Sequence, residues 1–238
     1  MAGRLLWVDK YAPKSLAECI LPRQVGAFLD VMVTNGNPSH CVFHGRPGTG
    51  KTTCAQLLAE AFKCDCRFLS GSIDITTERL RGVETYCMTY PLQEADFKMI
   101  IVDEAERLNN IHQQMLRSLI ERYQMQVIWI FTCNDINRLQ EPLGSRCSLV
   151  NFQADPEERG ELQARMRQRI EEILEAESVT VTDDDRKRIR ILVLGLFPDL
   201  RSMIREIQTR VNGGQLRFDL QPLSGAMIEK ASNHTVYD

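Results

Sequence analysis

No apolar run in this sequence approaches the ~20 residues needed to cross a bilayer. The first residues also lack a basic stretch followed by an apolar core, so nothing reads as a secretory leader. The expectation is a protein that is not secreted and has no membrane partner, cytoplasmic in a bacterial or phage-infected cell, or nuclear in a eukaryote. Low-complexity tracts and internal repeats are missing too, and with 43% hydrophobic and 26% charged residues the balance is that of a chain able to bury a core. A strong charge of either sign is lacking. The net charge of −3 excludes a generally DNA-coating surface, so any nucleic-acid contact must be local. Cysteine is not scarce, but the eight are scattered, and Cys64 and Cys66, the close pair, find only Cys87 nearby, too few ligands for zinc. They read as reduced thiols and no zinc is expected.

What is present is a phosphate-binding loop. Gly45-Arg46-Pro47-Gly48-Thr49-Gly50-Lys51-Thr52 fits a glycine, four residues, then Gly-Lys-Thr, between an apolar strand-like run (Cys41 to Phe43) and a helix-like run from Thr52 to Phe62. Such a loop turns successive backbone N–H groups toward an anion, and the following helix adds the positive end of its dipole. The implied ligand is a nucleoside triphosphate, with Lys51 reaching the outer phosphates and the Thr52 hydroxyl on a Mg²⁺ ion.

The rest of the chain alternates. Trp7 to Pro13 reads as an aromatic-rich extended piece that Pro13 keeps out of a helix. Pro22 opens a helix to about Thr34, and after the loop and its helix come a strand (Arg67 to Ser70) and a helix (about Thr77 to Met88). Lys98 to Val102 is a run without alternation, as expected of a strand covered on both faces, and Gln126 to Thr132 is another. Between them a helix over Ile111 to Tyr123 is expected to bury Ile111, Met115, Leu116, Leu119 and Ile120 and to turn Arg117 and Glu121 away. Leu149 to Phe152 gives a last strand. The expected fold is α/β: a parallel sheet with helices on both faces over residues 1–155, followed by a small helical domain over 156–238. In that second domain Leu162, Met166, Ile170, Ile173 and Leu174 share one helix face, a second helix runs from Asp183 to Leu194, and a third buries Leu200, Ile204, Ile207 and Val211 before Gly213-Gly214. A short helix is expected near Ala226 to Ala231.

Asp103-Glu104 ends a buried strand, where two carboxylates are costly unless they meet a metal and a solvent-filled cleft. Asp103 reads as a Mg²⁺ ligand and Glu104 as the group that orients or deprotonates the attacking water. Asn134, at the end of the next strand, is placed to hydrogen-bond either that water or the γ-phosphate.

Together Gly45 to Thr52, Asp103-Glu104, Asn134 and Ser145-Arg146-Cys147 resemble the AAA+ ATPases, and the last triplet is similar to the signature of their sliding-clamp loader branch. Trp7 to Pro13 resembles the aromatic box that opens replication factor C subunits, with Asp9 in place of a Glu and Ala12 in place of an Arg. Glu18 to Pro22, Pro47 to Thr53 and Phe197-Pro198-Asp199-Leu200-Arg201 also look like the clamp-loader ATPase subunits of T-even-type phages. The resemblance implies an AAA+ sheet domain and a helical lid, with ATP and Mg²⁺ as cofactors. It implies that Arg146 is an arginine finger completing a neighbouring subunit's site and that Arg201 reaches the γ-phosphate from the lid. Tyr11, Pro13, Cys19 and Ile20 would line the adenine pocket, and Gly45, Pro47, Gly48, Thr49, Gly50, Lys51, Thr52 and Thr53 would hold the phosphates. Thr77, Arg79 and Arg81 would contact DNA phosphates, and Arg117 would couple DNA to the nucleotide site. The implied partners are other clamp-loader subunits, a sliding clamp and primer-template DNA. The helical collar domain of this family is expected to be absent from these 238 residues. The function expected is ATP-driven loading of a sliding clamp; the alternatives are another AAA+ ATPase, such as a helicase loader or remodeller, and a scaffold subunit that binds ATP without hydrolysing it.

Overall fold

A computed structural model describes residues 6–72, 75–92, 95–140, 145–219 and 222–234. In chain order the helices are α1 (Trp7–Lys10), α2 (Arg23–Thr34), α3 (Lys51–Ala61), α4 (Thr77–Met88), α5 (Asn110–Tyr123), α6 (Arg159–Ala176), α7 (Asp183–Leu196), α8 (Leu200–Arg210) and α9 (Gly225–His234). The strands are β1 (Cys41–His44), β2 (Asp65–Ser70), β3 (Lys98–Asp103), β4 (Val127–Cys133) and β5 (Ser148–Asn151), with a short pair β6 (Val211–Asn212) and β7 (Gln215–Leu216). The described residues fall into two compact units, one drawn from Lys14–Arg46 and Gly50–Gln153, the other from Met1–Pro13, Pro47–Thr49 and Ala154–Asp238.

The first unit is a five-stranded parallel sheet in the order β2-β3-β4-β1-β5. Its middle strands are apolar over most of their length because helices cover both faces, and alternation along each strand only decides which face a residue serves. Val42, Ile100, Val102, Trp129 and Phe131 pack on one side with Leu80 and Val83 of α4 and Leu116 and Ile120 of α5. Cys41, Phe43, Met99, Ile101 and Ile130 pack on the other with Leu29 of α2 and Leu58 of α3. Trp129 and Phe131, two apart on one face, stack with centroids 6.2 Å apart.

Two expectations for this unit change. Ile111 does not join the buried stripe of α5 but is exposed, because it lies in the first turn, and buried Gln113 takes the inward place: its amide donates to Leu108 O (3.0 Å) and Arg138 O (3.2 Å) and accepts from the Gln140 N–H (2.8 Å). A polar residue can be buried there because its bonds are satisfied by two loops the sequence does not show as neighbours. Leu149 is likewise exposed, on the outer strand β5.

The second unit is helical. Leu162, Met166, Ile170, Ile173 and Leu174 of α6 are buried as their spacing predicts, along with Ile189, Leu192 and Val193 of α7. Thr182 and Asp185 form a capping box that starts α7, and the Asp199 carboxylate accepts the Ser202 N–H (3.0 Å) to start α8. On α8 the buried stripe is Met203, Ile204 and Ile207; Leu200 and Val211 are only half-buried, being its first residue and the first residue of β6. Gly213 and Gly214, at φ 59° and 74°, make the two-residue turn between β6 and β7.

The expected extended N-terminal piece is instead one turn of helix, α1. Proline restricts the residue immediately before it, Ala12, and leaves Trp7 to Lys10 free to coil. This turn docks within the helical unit: the Trp7 N–H donates to Gln208 Oε1 (3.0 Å), while Lys10 Nζ (2.7 Å) and the Tyr11 hydroxyl (2.8 Å) both donate to Glu177 Oε1. Arg169 adds a bond to Tyr11 O (3.3 Å).

Candidate active site

The phosphate loop follows β1 directly, and its geometry needs its glycines. Gly45, Gly48 and Gly50 have φ of 140°, 75° and 89°, values that side chains with a Cβ rarely adopt. Gly50 caps the N-terminus of α3. Lys51 is buried at 6% exposure, and its ammonium donates to Gly45 O (2.8 Å), Arg46 O (2.8 Å) and Asn134 Oδ1 (3.0 Å). Three short bonds to oxygen are what a buried ammonium requires.

The carboxyl ends of β3 and β4 supply the other groups. The Thr52 hydroxyl donates to Asp103 Oδ1 at 2.6 Å, and the Thr132 hydroxyl donates to the same oxygen. Thr132 Oγ1 also accepts the Glu104 N–H (3.2 Å), so one buried hydroxyl ties both acidic residues to β4. Glu104 itself has φ 53°, a left-handed conformation uncommon outside glycine, and its carboxylate pairs with Arg107 Nε at 2.9 Å. Gly71 permits this turn: a Cβ there would meet Glu104 O at 2.5 Å and Asp103 O at 2.9 Å, and its N–H donates to Asp103 O at 2.7 Å.

Asn134 is held from two sides. Its Oδ1 accepts from Lys51, while its backbone N–H (3.0 Å) and Nδ2 (2.8 Å) both donate to Glu106 Oε1. Neither Glu106 nor Thr132 was among the residues picked out by sequence. Glu106 carried a signal, a third acid within four residues of a buried strand end, but its partner lies 28 positions away. Two histidines border the loop's strand. His40 Nδ1 accepts the Trp129 N–H (3.1 Å), and burial lowers its pKa. His44 is lowered by burial and then by the Lys51 charge.

Lys51, Thr52, Asp103 and Asn134 are thus brought together, and the two acids Asp103 and Glu104 are adjacent on one strand end. Thr53 lies half-buried on the first turn of α3. Tyr11 and Pro13 belong to the helical unit, with the Tyr11 hydroxyl committed to Glu177, whereas Cys19 and Ile20 belong to the sheet unit. Arg201 is exposed on the first turn of α8. Thr77, Arg79 and Arg81 are exposed at the start of α4, and the Thr76 side chain accepts the Arg79 N–H at 3.2 Å as the helix cap. Arg146 and Arg117 share one acceptor: Glu121 Oε1 lies 2.5 Å from Arg146 Nη2 and 3.0 Å from Arg117 Nε. Among the described residues no cluster of three or more His, Cys, Asp or Glu could hold a metal, and no helix is long and apolar enough to cross a membrane.

Comparison with known proteins bears on family and fold. Residues 41–154 match the model of the ATPase family associated with various cellular activities (AAA). The chain is 33% identical over 191 residues to replication factor C small subunit 1 of Pyrobaculum arsenaticum, covering 76% of this chain and 55% of that protein. It is 34% identical over 212 residues to the replication factor C small subunit of Thermofilum pendens, covering 85% and 62%. The chain therefore spans a little over half to about two thirds of the length of such relatives. Among solved structures, the Thermotoga maritima RuvB Holliday junction branch migration motor superposes with a TM-score of 0.65 at 20% identity, over 95% of this chain and 74% of that one, a likeness of fold.

Proposed function

This chain is an AAA protein, similar along most of its length to replication factor C small subunits, and on that premise we propose that it is an ATP-hydrolysing subunit of a sliding-clamp loader. The observation that carries the ATPase part is the meeting of Lys51 with Asn134 and of Thr52 with Asp103 at the carboxyl ends of parallel strands, where an open α/β sheet takes its ligand. Triphosphate would rest on the loop N–H groups and draw the Lys51 ammonium away from its own loop carbonyls. Thr52 and Asp103, whose side-chain oxygens lie side by side, would be the residues that hold Mg²⁺, a cation that prefers hard oxygens. When bound, that ion neutralises charge on the phosphates. Glu104 would orient or deprotonate the attacking water once released from Arg107.

Arg146 acts in trans on a neighbouring subunit's phosphates, and Arg201 acts on the γ-phosphate of its own chain. Tyr11, Pro13, Cys19 and Ile20 take the adenine. Exposed Arg79 and Arg81 with Thr77 contact DNA phosphates, and Arg117, sharing Glu121 with Arg146, couples that contact to the finger. ATP and DNA both favour one arrangement of subunits, so each raises the affinity for the other. The test is ATPase turnover with and without primed DNA, the cognate clamp and the other loader subunits. Stimulation by the full mixture is expected; turnover unaltered by any combination would overturn the loader reading and leave the ATPase.

A further inference from the structure

The orientation of Asn134 is fixed by its partners. Lys51 Nζ can only donate, so the atom facing it at 3.0 Å is the carboxamide oxygen. The Glu106 carboxylate can only accept when ionised, so the atom facing it at 2.8 Å is the carboxamide nitrogen. Two partners of opposite character, on opposite ends of one amide, assign the same flip independently. Glu106 Oε1 also accepts the Asn134 backbone N–H at 3.0 Å, so a single carboxylate oxygen grips both the side chain and its own main chain. Glu106 Oε2 is buried and has no hydrogen-bond partner among the described residues. A carboxylate is held there at a desolvation cost, which structures tolerate at sites of function.

From this geometry we propose that Glu106 is a positioning residue that spends the donor end of Asn134, so that Asn134 serves the nucleotide site through its carbonyl oxygen, as an acceptor for Lys51 and for the attacking water, and not as a donor to the γ-phosphate. A γ-phosphate presents only acceptor oxygens, and a carbonyl facing it would be repelled; a water between Glu104 and Asn134 offers one proton to each. Sequence alone left both partners open for Asn134. The inference rests on the ATPase reading and deepens it.

The experiment compares Glu106→Ala, Glu106→Gln, Asn134→Ala and the Glu106→Ala/Asn134→Ala pair in the full chain. It reads single-turnover ATP hydrolysis with protein in excess, equilibrium binding of fluorescent ATP and ADP analogues, and the ¹⁵N-labelled side-chain amide signal of Asn134. Expected are a roughly tenfold or greater loss of rate in Glu106→Ala, ATP and ADP affinities that keep their ratio, and recovery in Glu106→Gln, whose Oε1 still accepts both bonds. The double variant should be no slower than Asn134→Ala, since the two act as one unit, and the Asn134 amide signal should move in Glu106→Ala. A wild-type rate in Glu106→Ala beside a slow Asn134→Ala would overturn the proposal. So would a selective loss of ATP over ADP binding in Asn134→Ala, which would make Asn134 a phosphate donor. Wild-type protein that neither binds nor hydrolyses ATP would bring down the ATPase reading itself, and with it the proposal.

Discussion

Two imidazoles at the phosphate loop's strand, one of them facing the Lys51 charge, set a pH dependence that belongs to individual residues. Burial lowers the pKa of His40, and burial with the Lys51 charge lowers that of His44, both from the ordinary 6.5. Each is therefore neutral in the folded chain at pH values where the unfolded chain begins to take up a proton. With more protons bound to the unfolded state, stability rises with pH through this window. It is complete above about pH 6.5 and falls as pH drops toward the folded values. For His40 the reason is structural, since its Nδ1 accepts the Trp129 N–H and a proton there removes the acceptor. Calorimetric midpoints should be level from about pH 8 to 7 and decline below about 6.5, with a shallower decline in His40→Gln. A midpoint level down to about pH 5.5 would contradict this assignment. Glu177 contributes at lower pH: its pKa is lowered by its bonds from Lys10 and Tyr11, so its part is lost only as pH falls below 4.5.

At the scale of elements, hydrophobic pattern located strands and helices because a two-sided sheet leaves long apolar runs and a one-sided helix leaves a stripe. Boundaries of α4 are read from sequence as they stand in the fold, Thr77 to Met88. Where pattern and structure part, a long-range hydrogen bond or the end of an element is responsible, as with Gln113 in place of Ile111 and Met203 in place of Leu200. Gly71 is the sharpest case, carrying no motif in sequence and forming, in the fold, the gap into which the strand end at Glu104 fits. Gly71→Ala sets a Cβ against two backbone oxygens that cannot swing aside. It is expected to destabilise the sheet unit by about 1–3 kcal/mol and to slow ATP hydrolysis more than it weakens ATP binding. A urea titration with a turnover assay checks this, and wild-type values in both would show that the strand end yields freely.

For the whole molecule the decisive residue is one the chain cannot use on itself under the proposed mechanism. Arg146 is held by Glu121, an ion pair about 33% and 43% exposed at its two side chains. Such partly exposed pairs contribute little, about 0–1 kcal/mol, so a neighbour's phosphates compete with it readily. Arg146→Ala is expected to bind ATP as wild type does and to lose turnover in assemblies by roughly 10³-fold or more. Mixed with Lys51→Ala, which has an intact finger and an impaired loop, it should regain activity that neither variant has alone. Absence of any recovery on mixing, with both variants assembling, would place the finger in cis.

What the sequence determined by itself was the alternation of elements, the phosphate loop with its Thr52, and the polar residues that end buried strands: Asp103, Glu104 and Asn134. These are legible because glycine spacing, apolar runs and their polar ends are local. Only the tertiary structure decided which way the Asn134 amide faces, which hydroxyl ties Asp103 to Glu104, and that the N-terminal turn docks on helices more than 150 residues away. Each of these is a hydrogen bond whose partners meet through strand register or helix packing. That geometry leaves no period in the sequence.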